Sequence, residues 1–146
     1  MDLSGYAGKQ GPWPATVGLP WVYFARRGCF LDCRGPLIID ATSQWGFCVR
    51  VLTQSHDIRG GPGPLGQTKA YGVTVEADAW IGSWSLLSGC TIGAGSIVAA
   101  GTVVRGQTVG PGVMVAGNPA RVIARWLDGS WHYEAEEISG YGRLLG

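Results

Sequence analysis

Between Val75 and Thr108 an aliphatic residue returns about every sixth position, and a small residue follows four places after each one. The lead positions are Ile39, Trp45 and Val51 upstream, then Val75, Ile81, Leu86, Ile92, Val98 and Val104. Four places on stand Ser43, Val49, Ser55, Ala79, Ser85, Cys90, Ser96, Thr102 and Thr108, none larger than valine. Neither a helix nor a two-sided strand generates a period of six. A chain that turns a corner every six residues does, because each segment sends one large side chain inward and needs a small one near the bend. The pattern therefore predicts a β-helix of hexapeptide repeats, built from coils that bury a continuous core only by stacking. The frame places one missing residue before Leu86, which predicts a pinched corner just beside Ser83.

The repeat divides the chain. Residues 1–36, rich in Gly, Pro and aromatics, read as an irregular lead-in with one degenerate coil around Trp21 to Asp32. Coils are expected over 37–109, interrupted by a segment, D57-I-R-G-G-P-G-P-L-G-Q-T-K69, whose composition is that of a loop extruded over about 57–72. Beyond the coils, R121-V-I-A-R-W-L127 spaces its apolar residues as a short helix would, and 128–146 forms a polar, Gly-dotted tail. The whole reads as one all-β domain, 1–146. Flat solenoid surfaces and seven tryptophans point to self-association.

Composition sharpens this picture. There are 25 glycines without a collagen period, and Gly82, Gly93, Gly95, Gly101 and Gly106 are among those inside the repeats where corners need them. A net charge of +1 with 14% charged residues carries no footprint for nucleic acid or an acidic substrate. Met1 to Gln10 lack a basic segment followed by an apolar run, and V17-G-L-P-W-V-Y-F24 is too short to span a bilayer, so a cytoplasmic location is expected. Cys29, Cys33 and Cys48 form no C-x-x-C pair or ligand set, and Cys90 sits at a small-residue packing position, so four structural thiols are expected.

Candidate chemistry is sparse. The chain has two histidines. His56 closes the repeat V51-L-T-Q-S-H and opens the long segment, where an imidazole can serve as a general base; the plainer reading is a surface histidine at a turn. His132, in the tail, is expected to be non-functional. G61-P-G-P-L-G66 satisfies G-x-G-x-x-G in spelling alone, with two prolines and no helix after it. Neither a phosphate-binding G-x-x-x-x-G-K-[ST] loop nor a G-x-S-x-G elbow is present.

Four blocks carry a family resemblance: S55-H56-D57, D78-A-W-I-G-S83, A94-G-S-I-V-A-A-G-T-V-V104 and A116-G-N-P-A-R-V-I123. Over about residues 37–125 the chain resembles the hexapeptide-repeat acetyltransferases, in particular the galactoside, maltose, xenobiotic and capsular-polysaccharide O-acetyltransferase group. The resemblance implies a left-handed parallel β-helix, a homotrimer with sites at subunit interfaces, and acetyl-CoA lying in the groove between neighbouring prisms. It implies that His56 takes a proton from an acceptor hydroxyl, which then attacks the thioester. Trp80 would sit beside the acetyl and pantetheine end, Ser83 and Ala100 along the pantetheine arm, and Asn118, Pro119 and Arg121 near the adenine and phosphate end. Arg105 replaces the family's usual Thr-Lys pair near the coenzyme phosphates, and Asp32 is a loose match to an acceptor-site carboxylate. The family's acceptor-site asparagine has no counterpart. The acceptor is expected to be a sugar or hydroxylated small molecule, the alternatives being N-acetylation of an aminosugar or a non-catalytic trimeric scaffold. Zinc-dependent carbonic anhydrases also use hexapeptide β-helices but need three imidazoles per metal, so no metal is expected.

Overall fold

The computed structural model describes the backbone of residues 18–19 and 22–26 and the complete residues 27–58, 63 and 66–134. Its strands form the three faces of a prism. The first face carries Leu37–Ile39, Val73–Val75, Thr91–Ile92 and Thr108–Val109 in parallel. The second carries Gln44–Trp45, Trp80–Ile81, Ile97–Val98 and Val113–Ala116. On the third, Arg50–Leu52, Leu86–Ser88 and Val103–Arg105 stack on Cys29–Asp32. The chain visits the faces in the order first, second, third, and then begins again. This is a left-handed parallel β-helix, as expected.

The register identifies the inward ladders: Ile39, Val75, Ile92, Val109 on the first face; Trp45, Ile81, Val98, Val115 on the second; Leu31, Val51, Leu87, Val104 on the third. All are buried. The inward residue near 86 is thus Leu87, not Leu86, which is only half-buried. Each full coil is seventeen residues long, two hexads and one pentad, and the short side lies between Leu87 and Ile92 and again between Val104 and Val109. The corner beside Ser83 is therefore of normal size. The tight one is at Gly89 and Gly106, both with positive φ. A left-handed residue recurs at the corners every seventeen positions, as in Asp78, Gly95 and Gly112, which explains why glycine is frequent here.

Small residues let the coils close on one another. A Cβ on Gly82 would fall 2.5 Å from the amide nitrogen of Ala100 and 2.7 Å from the carbonyl oxygen of Val98. Two buried hydroxyls bridge successive coils: Ser85 donates to the Ala99 carbonyl (3.0 Å) and Ser96 to that of Gly110 (2.7 Å).

Three expectations change. The segment over 57–72 is not a plain loop: Gln54–Asp57 and Gln67–Ala70 pair as an antiparallel hairpin that leaves the prism at the corner between the third and first faces. The lead-in ends in a hairpin of Val22–Ala25 with Cys29–Asp32, which then stacks in parallel on Arg50–Leu52. Most plainly, 121–127 is a strand and not a helix. Arg121–Leu127 turns back antiparallel along Val113–Ala116, and Ser130–Tyr133 pairs with it in turn. Asp128 (φ 50°) and Gly129 (φ 81°) supply the two left-handed residues of a tight hairpin turn. The apolar spacing fitted a helix, but the β-branched Val122-Ile123 pair and the Asp-Gly dipeptide favour a hairpin, and the open edge of Val113–Ala116 supplies its partner. No helix among the described residues is long and apolar enough to cross a membrane.

Candidate functional site

The outward residues of the second face form a second ladder, Gln44, Trp80, Ile97 and Met114. Beside it, at the corner toward the third face, Gly82–Ser83 and Ala99–Ala100 stack coil upon coil, and Phe47 with Arg27 stands at the preceding coil. Together they enclose a cleft of about 350 Å³, mostly apolar, with the Arg27 guanidinium, the Gln44 carboxamide, the Ser83 hydroxyl and the backbone as its polar groups. Trp80 lies in it 41% exposed. The Phe47 amide donates to Ser83 Oγ (2.9 Å), and Arg27 hydrogen-bonds the Trp45 carbonyl (2.7 Å) with its guanidinium 5.5 Å from the Phe47 ring centre. This fixes the rim of the cleft.

The same corner continues along the prism axis. Gly101 donates to the Ser83 carbonyl and Val103 to that of Gly117, so Ser83, Ala100 and Gly117 are successive steps, about 5 Å apart. Asn118 and Pro119, joined by a cis peptide bond, follow at the next step and are exposed. Arg121 lies beyond them beside a wider cleft of about 550 Å³ that it shares with Arg125, where its guanidinium bonds the Ala120 carbonyl. Trp80, Ser83, Ala100, Asn118 and Pro119 therefore follow one another along this side, while Arg121 lines a separate cleft with Gln107, Thr108 and Val109.

His56 and Arg105 do not. His56 is on the extruded hairpin, opposite Thr68, at a different corner, and is exposed. Its neighbour Ser55 pairs with Lys69, and alternation along a strand sends these two to the face opposite that of His56. On the Ser55 side a small cleft of about 170 Å³ is lined by Ser55, Tyr71, Ser88 and Arg105. Arg105 is thus separated from the Trp80 corner by a full face, and from His56 by the thickness of the hairpin. His132 pairs with Arg125 in the last hairpin and hydrogen-bonds the Leu127 carbonyl (3.2 Å).

Asp32 is fully buried and committed to the fold. Arg34 holds both its oxygens (2.8 and 3.0 Å), and the Thr53 amide donates to it (3.2 Å). Burial alone pushes its carboxyl up, but the Arg34 side chain and the two backbone amides outweigh that and hold it below its ordinary range. It presents nothing to a cleft, so the expected contact with an acceptor is corrected to a structural role. Burial pushes the Cys90 thiol up to about 12, which fits a packing residue. Among the described residues no three of His, Cys, Asp and Glu gather as metal ligands. Sequence reasoning missed Arg27, Phe47 and Met114, whose part in the cleft depends on contacts between residues far apart in the chain.

The comparisons fit this geometry. The family model described as bacterial transferase hexapeptide (six repeats) matches residues 72–106. No curated protein matches the chain. Among solved structures, a maltose O-acetyltransferase from Clostridium difficile 630 is 27% identical with a TM-score of 0.56, over 63% of this chain and 49% of its own. A hexapeptide-repeat-containing acetyltransferase from Vibrio cholerae O1 biovar eltor, complexed with acetyl coenzyme A, is 27% identical with a TM-score of 0.55, over 68% and 64%. An N-acyltransferase from Bacillus cereus, in complex with an amino-dideoxyglucose nucleotide and coenzyme A, shares the fold at 16% identity and a TM-score of 0.52, over 75% and 58%. The chain spans between about half and two thirds of the length of these structures. By its repeat, its three-sided coil and these likenesses, the chain is a hexapeptide-repeat protein of left-handed β-helix fold, similar to the acetyltransferases of that family.

Proposed function

We propose that the protein is an acetyl-CoA-dependent O-acetyltransferase acting on a hydroxyl of a sugar or other small molecule. The observation that carries this reading is the corner running from Trp80 through Ser83 and Ala100 to Asn118 and Pro119. Its cleft at the Trp80 end is largely apolar, exposed backbone follows at the later steps, and Arg121 stands beyond Pro119, a chemistry suited to a thin chain of amides terminating in phosphates. The likeness to a structure complexed with acetyl coenzyme A supports the same assignment.

In this reading His56 is the general base. The imidazole takes the acceptor's hydroxyl proton as the oxygen attacks the thioester carbonyl. The tetrahedral intermediate collapses, the C–S bond breaks, and the leaving thiolate takes the proton from the imidazolium. His56 and Trp80 stand on different corners of one prism. The reaction therefore needs a second copy of the chain, whose hairpin brings its imidazole to the cleft of the first, and we assign the site to the groove between neighbours in a homotrimer.

Replacing His56 by Ala should lower kcat by about 10²–10⁴-fold and leave acetyl-CoA binding intact. Steady-state assays over a panel of sugars, with calorimetric titration of acetyl-CoA, test this. Near wild-type turnover in the variant would remove the base, and no binding of acetyl-CoA by the unmodified protein would remove the reading altogether.

A further inference from the structure

The corner that bounds the cleft carries a bulky aromatic side chain at a left-handed position. Trp84 has φ 63°, between Cys48 (φ 57°) on the preceding coil and Gly101 (φ 71°) on the next. A bulky L-residue is strained there and ordinarily gives way to Gly or Asn. In this chain the strain is not offset by burial, because Trp84 is 69% exposed. The ring is not alone: Phe47, whose carbonyl accepts the Trp84 amide (2.8 Å), is 58% exposed, and Trp80 is 41% exposed. One step along the axis the corner is bare, since a Cβ on Gly101 would meet nothing within 4 Å. An exposed indole thus stands next to an open glycine step, directly after Ser83 of the cleft lining.

Strain held at an exposed residue beside a candidate site points to a role in binding. We propose that Trp84 is a donor-binding residue: its indole packs against the acyl-pantetheine arm as that arm crosses the Gly101 step, closing the open side of the channel. This rests on the assignment of the corner to acetyl-CoA. The donor is the occupant because Trp84 directly follows Ser83 on the corner assigned to the pantetheine arm, with Ala100 and Gly101 one step on.

The test exploits opposite signs. Trp84→Gly relieves the backbone and should raise Tm by several degrees, while weakening acetyl-CoA binding by roughly tenfold or more, as for truncation of a buried aromatic anchor. Trp84→Phe should recover most of the affinity without the gain in Tm. KM for acetyl-CoA should rise in Trp84→Gly with KM for the acceptor unchanged. Equal affinity in Trp84→Gly and the unmodified protein, or a lowered Tm showing that the ring packs within the assembly, would overturn the inference while the coenzyme assignment stands. Failure of the unmodified protein to bind acetyl-CoA would instead overturn both.

Discussion

Asp32 shows how a carboxylate can look like a site residue and serve the fold. Its charge is held by Arg34 and by the Thr53 amide on the neighbouring coil, tying the first parallel strand to the second. Because its folded pKa lies below the ordinary 3.8, its stabilisation is complete above that value and is lost as pH falls through the depressed one. Asp32→Asn should therefore cost about 2 kcal/mol at neutral pH and shrink the loss of stability on acidification, measured by urea denaturation at pH 7 and pH 3. The sequence offered the residue and its spacing, D32-C-R34, but not its burial, which comes from the Arg50–Leu52 strand stacking beside it. The aromatic and small residues of the cleft were easier to read. Trp80, Ser83 and Ala100 sit at fixed offsets within a periodic frame, so their shared corner follows from the period once the coil length is known.

Elements separate by how local their causes are. The coil strands were legible because every turn repeats the same demand, one large inward residue and one small one near the bend, and register then propagates from coil to coil. The terminal hairpin was not, because R121-V-I-A-R-W-L127 satisfies a helical spacing as well as a strand, and the decision rests with the unpaired edge of Val113–Ala116 and the turn at Asp128-Gly129. Gly129→Val puts a β-branched residue at φ 81° and should destabilise by about 1–2 kcal/mol, seen as a lowered Tm. A helix over 121–127 would be nearly indifferent to that substitution, which lies beyond its end. The position of the missing residue was misread for a related reason. Leu86 and Leu87 are adjacent and equally apolar, and only the pairing of Leu87 with Val51 and Val104 shows which one faces inward.

In the whole molecule, the groups proposed to act together are held apart by the prism that organises them. A single chain offers a channel at one corner and an imidazole at another, so Trp80→Ala and His56→Ala chains should each be inactive alone. Co-assembled in equal amounts, they should regain roughly one quarter of the unmodified activity, since random mixing pairs an intact channel with an intact imidazole at that frequency. Acetyl-transfer assays of the unfractionated mixture check this; assemblies purified on two affinity tags should show about one third, since each mixed trimer forms one intact site of three, and an inactive mixture would count against a shared site. Further out, the seventeen-residue coil acts as a ruler. Adding or removing one whole multiple of it lengthens or shortens the prism by a single strand spacing and returns every inward side chain to the core. Any other change in length turns the following faces out of step. Growth of such a molecule is therefore quantised, and the distance between its channel's two ends can change only in whole coils.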